Sequence, residues 1–147
     1  MSEGSKDNGA SEEQKQRRGE SPPQAGDLEI THGQWAGYLD SFSRQHLDWL
    51  VSVEICSPVG RLIQVEERPL KGVSLDSVAG NERAYVQVGG SPEADMTHTI
   101  ERPTGVKFKQ SPSGAHLGLE IASADGTTTV IRFRSAMRPE MLDGVAA

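Results

Sequence analysis

Four histidines are the residues of this sequence whose chemistry could include metal binding or proton transfer: His32, His46, His98 and His116. They form no H-x-H or H-E-x-x-H pattern, and the single cysteine is not adjacent to any of them. Transition metals are usually held by three or four such ligands, often from closely spaced pairs. The spacing therefore predicts no metal site, and because the sequence contains neither a dinucleotide fingerprint at Gly89-Gly90 nor a Walker motif, no cofactor is expected. His46 and His98 stay open as acid/base candidates in a pocket between a helix and a sheet.

The segment 72–76, Gly-Val-Ser-Leu-Asp, is one glycine short of the G-x-S-x-G elbow of hydrolases. That elbow needs a strand before it and a helix after it, whereas Pro69 and the polar run to Glu82 predict an ordered loop. Glu66 and Glu67 are neighbours on a predicted strand, so their side chains point to opposite faces and do not form a carboxylate pair. These motifs predict no catalytic residue.

One set of charges is predicted to converge on a surface. Positive residues alternate with apolar residues in segments 106–109 and 127–134, and segment 117–121 between them alternates as well. If the three strands pair in order, four cations share one sheet face with Glu120 and the small Gly118: Lys107, Lys109, Arg132 and Arg134. This face is a predicted binding surface for an acidic protein or a small anionic ligand. The alternative is a solvated ladder of ion pairs around Glu120, each contributing about 0.2–1 kcal/mol.

A helix and a strand meet within segment 41–55. Thr31 and Gln34 have the spacing of a capping box, and one helical stripe follows at i, i+4, i+7 and i+11: Trp35, Leu39, Phe42 and His46. From Trp49 the apolar residues alternate as on a strand. We interpret the junction as a structural corner, pinned by Trp49 and the helical stripe, and not as an active site.

Further short alternating segments, separated by Gly, Pro and Asp-Gly turns, complete an α+β fold. The prediction is one N-terminal amphipathic helix packed on a coiled or partly closed antiparallel sheet of about six to seven short strands. Residues 1–27 contain no Leu, Ile, Val, Phe, Trp or Tyr and are predicted to be a disordered polar tail. Residues 28–139 form the predicted single domain, and residues 140–147 a flexible C-terminal tail.

Composition narrows the class of partner. The 147 residues carry a net charge of −6, which disfavours duplex nucleic acid because the long-range field repels phosphates. No segment approaches the ~18 consecutive apolar residues of a membrane span, and no secretory signal is visible. The one cysteine excludes an intrachain disulfide and suits a reducing cytoplasm, so a cytoplasmic location is expected. The oligomeric state stays open.

Four stretches in order resemble a small bacterial domain family catalogued as a domain of unknown function: FSRQHLDWLVSVEI, RPLKGVSLD, HTIERP and SADGTTTVIRFRS. The resemblance covers roughly residues 28–144 and implies a stand-alone soluble bacterial domain. It carries over no catalytic residue. The favoured function is a non-enzymatic accessory or interaction module that presents the basic sheet face. The alternative is a small enzyme or small-ligand-binding protein that uses His46 or His98.

Overall fold

The computed structural model describes residues 26–90 and 94–137. These ranges contain one α-helix, α1, and eight strands, with a short 3-10 turn at His32–Gln34 before the helix. The elements in chain order are β1 (Leu28–Ile30), α1 (Trp35–Gln45), β2 (Leu50–Ser57), β3 (Gly60–Val78), β4 (Asn81–Val88), β5 (Met96–Glu101), β6 (Pro103–Gln110), β7 (His116–Ser123) and β8 (Thr128–Met137).

All neighbouring strands are antiparallel, in the order β1-β6-β7-β8-β2-β3-β4-β5. Strand β3 is nineteen residues long and joins the two halves of the sheet. Its residues 60–69 pair with β2, and its residues 70–78 pair with β4. Within the described ranges β1 and β5 each have a strand on one side only, so the sheet is open.

The α+β class is confirmed in its coarse form, as a mostly antiparallel sheet with one short helix. The expected count of six to seven short strands is wrong, because there are eight strands in the described part and β3 is long. The sheet was expected to be coiled or partly closed, and partial closure is wrong for the described residues, in which the sheet is open. The helix was expected at the N-terminus, but β1 precedes it. The predicted tails lie outside the described residues, apart from Gly26 and Asp27. No described helix has the length and apolar character needed to cross a membrane.

The predicted loop from Pro69 to Glu82 is wrong, because β3 continues through Pro69 to Val78. Proline lacks a backbone N–H and normally interrupts a strand with neighbours on both sides. Here Pro69 lies where β3 changes its neighbour from β2 to β4, and its carbonyl accepts a hydrogen bond from the Gly89 N–H at 2.8 Å. The strand therefore passes the proline without losing an interior ladder bond.

The start of the helix also differs from the expectation. Thr31 makes no side-chain capping bond, and the chain passes through the 3-10 turn before α1 begins at Trp35. The Trp35 indole N–H donates instead to the Ile30 carbonyl at 3.0 Å, and both side chains are buried. The predicted helical stripe itself is confirmed: Trp35, Leu39, Phe42 and His46 are all buried.

The junction between α1 and β2 is a tight corner fixed to β3. Asp48 has a positive φ of 69°, and its N–H donates to the Leu70 carbonyl at 2.8 Å. The Leu70 N–H in turn donates to the Trp49 carbonyl at 2.8 Å. The half-buried Trp49 packs against the core, with its ring 4.8 Å from that of Phe133. The corner holds the helix on the sheet, as the sequence interpretation expected.

Candidate functional site

The four predicted cations lie on the face of the sheet opposite the helix, which we call the outer face. Lys109 pairs with Gly118 across β6 and β7, and Gly118 pairs with Arg132 across β7 and β8. Lys107 pairs with Glu120, and Arg134 follows Arg132 by two residues on the same face. A side chain at Gly118 would collide with the Ile131 carbonyl, so only glycine fits between the two flanking strands.

Carboxylates accompany these cations. Lys109 lies 2.7 Å from Asp27 and 3.6 Å from Glu120. The shortest contacts of the two arginines are Arg132–Glu54 at 3.3 Å and Arg134–Glu67 at 3.9 Å. The sequence had indicated a single acid on this face. It missed the others because Asp27 precedes β1, Glu54 is in β2 and Glu67 is in β3, and the neighbours of these strands were not predicted.

The cations differ in how available they are to a partner. The Asp27 side chain is 1% exposed, and Lys109 is half-buried above it. Burial alone lowers the pKa of Lys109, but the hydrogen bond to Asp27 and the charge of Glu120 outweigh it and raise that pKa. This pair fastens the chain before β1 to β6. Arg132 and Arg134, by contrast, are 56% and 61% exposed, and their intramolecular contacts are long.

Lys107 occupies a different setting on the same face. It is half-buried in a shallow groove of about 290 Å³, whose lining includes Glu29, Glu120 and the small Gly105 and Ala122. Glu29 pairs with Lys107 across β1 and β6, and Glu120 pairs with it across β6 and β7. Lys107 therefore lies between two acids and is a weaker candidate for anion binding than the exposed arginines.

The structure brings two of the four histidines together in the core. His46, at the end of α1, and His116, at the start of β7, are both almost fully buried. Nε2 of His46 is 2.9 Å from Nδ1 of His116, and Nδ1 of His46 is 2.8 Å from the Phe42 carbonyl oxygen. A carbonyl only accepts, so Nδ1 of His46 carries the proton, and its Nε2 accepts from the Nδ1–H of His116 when both rings are neutral.

The surroundings of this pair favour the neutral state. The pKa of His46 is lowered to about 4. Burial is the largest cause, the bond to the Phe42 carbonyl opposes it, and the charge of His116 acts in the same direction as burial. Burial also lowers the pKa of His116. Aromatic rings enclose both imidazoles: Phe42, Trp49, Phe108 and Phe133. The pair is a neutral hydrogen-bonded part of the core, and not a site that faces a substrate.

The other two histidines are separate from this pair. Nε2 of His98, on β5, is 3.5 Å from the Thr129 hydroxyl, and burial lowers the pKa of His98. His32 is exposed and lies 2.9 Å from Glu82. Across residues 26–90 and 94–137, no group of three or more His, Cys, Asp or Glu side chains has the arrangement to hold a metal ion.

No local pattern in the sequence indicates the contact between His46 and His116, which are seventy residues apart. A β-bulge in β7 contributes to the contact. Lys109 and Gln110 of β6 are adjacent, but they pair with Gly118 and His116, so Leu117 is the extra residue. The bulge leaves Leu117 exposed, whereas simple alternation with Leu119 and Ile121 would turn it inward, and it lets His116 face the core.

A groove exists between the helix and the sheet, but its lining does not include the candidate histidines. It measures about 500 Å³ and is formed by β1 and the exposed side of α1, including Leu28, Gln34, Tyr38 and Ser41. Burial raises the pKa of Tyr38, which keeps its hydroxyl protonated at neutral pH. The groove thus gives neither His46 nor His98 access to a bound molecule.

Comparison with known proteins identifies a family but no individual relative. A family model described as "Family of unknown function (DUF5335)" matches residues 26–142. No curated protein and no solved structure matches the chain. The family match includes all eight described strands, the helix, the outer face and the histidine pair.

Proposed function

The chain belongs to the family of unknown function (DUF5335), and from the geometry of its outer face we propose that it is an interaction module that binds an acidic protein surface. The observation that carries the proposal is the exposure of Arg132 and Arg134 on one strand of a regular sheet face. Arginine presents a planar fork that matches carboxylates in two-point contacts, and it is enriched at protein interfaces.

The intramolecular acids do not prevent such binding. Arg134 is 3.9 Å from the exposed Glu67, and exposed ion pairs contribute only about 0.2–1 kcal/mol. A partner carboxylate can therefore replace this contact at small cost. Arg132 shares the buried Glu54 with Arg61, which lies 3.7 Å from the same oxygen. If Arg132 turns to a partner, Arg61 still neutralises Glu54.

Lys109 has a different part in this proposal. Its contacts with Asp27 and Glu120 occupy it within the domain, so it supports the face without contacting the partner. The net charge of −6 repels an acidic partner at long range, so binding depends on the local field of the arginines. That field is screened over about 8 Å at physiological salt, and binding should weaken as salt rises.

The test is a titration of the isotope-labelled protein with a ten-residue polyglutamate peptide, followed by NMR at low and physiological salt. We expect chemical-shift changes centred on β8 and the adjacent part of β2, with polyglutamine giving none. Arg132→Glu/Arg134→Glu should abolish them while leaving the spectrum of a folded domain. The matched control, Lys71→Glu/Arg83→Glu, makes the same charge change at exposed residues away from this face.

Two results would contradict the proposal. If the double arginine variant binds the peptide as the wild type does at low salt, the face is only a solubilising surface. If the Lys71→Glu/Arg83→Glu control loses binding equally, the effect is one of net charge and not of this face. Free glutamate is titrated in parallel. If it binds as well as the peptide, the partner of this face is a small anionic ligand and not an acidic protein surface.

A further inference from the structure

The first part of β3, residues 60–67, has a strand on one side only in the described part of the chain. Gly60 to Ile63 pair regularly with Ser57 to Glu54 of β2, whereas pairing with β4 begins only at Leu70. A shallow groove of about 410 Å³ lies at the end of this edge and is lined by residues 64–69 and Gly90. An edge of this kind presents unpaired backbone N–H and C=O groups to another strand.

Apolar side chains concentrate at the same place. Val59, in the turn before β3, is 95% exposed, Leu62 is 60% exposed, and Ile63 is 47% exposed. These three make up nearly half of the large apolar residues exposed in residues 26–90 and 94–137; the others are Leu28, Leu47, Val78 and Leu117. They lie within five consecutive residues. Leu62 and Ile63 are neighbours on the strand, so their side chains lie on opposite faces of the sheet and flank the open edge from both sides. Soluble domains usually protect such an edge, and exposed apolar side chains beside it favour burial by a second strand.

The charges along the edge identify the occupant. The segment reads Arg-Leu-Ile-Gln-Val-Glu-Glu from Arg61 to Glu67, with a cation at one end and two acids at the other. A second copy of the segment in antiparallel orientation, centred on Gln64, brings Arg61 of each copy opposite Glu67 of the other, with Glu66 next in the strand. A parallel copy places like charges together, which is destabilising. The segment is therefore complementary to itself in one orientation.

We propose that two copies of this chain associate through residues 60–67 of β3, paired antiparallel about a two-fold axis near Gln64. Such an interface is isologous, with the same patch used by both copies. The two-fold axis is perpendicular to the sheet, so the outer faces of both copies lie on the same side. The dimer then presents Arg132 and Arg134 twice to one partner, which goes beyond the proposed function and does not depend on it.

The local geometry sets the strength of this association. The pairing of β2 with β3 shifts register near Gln64 and again before Arg68, and Glu67 has a positive φ of 51°. Bulges of this kind bend a strand and shorten the ladder that a second copy can form. The contact is therefore smaller than that of an obligate dimer, and we infer a reversible dimer that dissociates on dilution.

Sedimentation equilibrium of the full chain over a wide concentration range tests the proposal through a charge swap. The two variants are Arg61→Glu and Glu66→Lys/Glu67→Lys. Each alone places like charges at both ends of the pairing, so each should dimerise at least ~10-fold more weakly than wild type. An equimolar mixture places opposite charges at both ends again and should recover the wild-type dimer constant. Two controls match these charge changes at exposed positions outside residues 60–67: Arg44→Glu for Arg61→Glu, and Asp40→Lys/Glu101→Lys for the double variant.

Circular dichroism checks the fold of each variant. Arg61, Glu66 and Glu67 are exposed, and in Arg61→Glu the buried Glu54 keeps its ion pair with Arg132 at 3.3 Å, so we expect the fold to be retained. Recovery of dimerisation in the mixture supports the antiparallel pairing directly, because a fold defect cannot be repaired by mixing. The proposal is overturned if the wild type stays monomeric up to millimolar concentration, in which case the charges protect the edge from pairing. It is equally overturned if the mixture fails to recover what each variant has lost.

Discussion

Lowering the pH from 7.5 to 4.5 should destabilise the protein through its buried histidine pair. His46 titrates near its ordinary pKa of 6.5 in the unfolded chain, but burial lowers its pKa to about 4 in the fold. Between these values the unfolded state takes up a proton that the folded state does not. Stability is therefore fully present above pH 6.5 and is lost as the pH falls towards 4.

The size of the loss follows from the pKa difference. Each pH unit between the two pKa values costs about 1.4 kcal/mol, so His46 alone should remove about 2.5 kcal/mol by pH 4.5. The lowered pKa of His116 acts in the same direction. Domains are typically stable by roughly 5–15 kcal/mol, so a loss of this size is a substantial part of the total free energy of unfolding.

The assay is urea denaturation at pH 7.5 and 4.5 on the wild type and on His46→Gln/His116→Gln. Glutamine can both donate and accept hydrogen bonds but does not titrate. The variant should be less stable than the wild type at pH 7.5, because glutamine fits the aromatic enclosure less well. Its further loss on acidification should be smaller than that of the wild type by about 2.5 kcal/mol or more.

The exposed His32 provides the control, because it lies outside the core beside Glu82. His32→Gln should retain the acid destabilisation of the wild type. Equal acid sensitivity of the wild type and the double variant would refute the reasoning, since the loss would then come from other groups. A histidine NMR titration showing His46 protonated in the folded state at pH 6 would refute it independently.

Three further substitutions test the packing. Trp35→Ala should lower the free energy of unfolding by about 3–5 kcal/mol in urea denaturation, because it removes a buried ring and its bond to the Ile30 carbonyl. Gly118→Ala should destabilise by about 3 kcal/mol or more in the same assay, because its methyl group collides with the Ile131 carbonyl. Gly37→Ala should instead increase the free energy of unfolding by about 0.5–1 kcal/mol and so raise the melting temperature. The site is helical, and nothing lies within 4 Å of the added carbon. A neutral Gly118→Ala or a destabilising Gly37→Ala would contradict the described backbone.

The parts of the fold that the sequence predicted well depend on local patterns. The stripe from Trp35 to His46 follows the helical period, and its residues need no knowledge of the rest of the fold to be assigned to one face. The strands β6, β7 and β8 are joined by short turns, so their order could be inferred from neighbouring segments. The convergence of the four cations on one face followed from that order.

What the sequence did not predict depends on pairing between distant segments. Strand β1 has only three residues, so no local pattern indicates it. Its residue Glu29 pairs with Lys107, which is far away in the sequence. The acids that accompany the cations were missed for the same reason. The predicted strand ended at Pro69, because proline normally interrupts a paired strand. Pro69 lies where β3 changes its neighbour from β2 to β4, and that position depends on the pairing of the whole sheet.

The position of β8 in the sheet has a consequence for synthesis on the ribosome. Strand β2 pairs with β8, and Phe133 of β8 packs against Phe42, His46 and Trp49. When α1 and β2 leave the exit tunnel, these partners have not yet been translated. The part of the aromatic side of the helix that β8 covers therefore stays exposed for more than seventy residues of elongation, and a nascent chain stalled before Thr128 should be a substrate for chaperones and proteases.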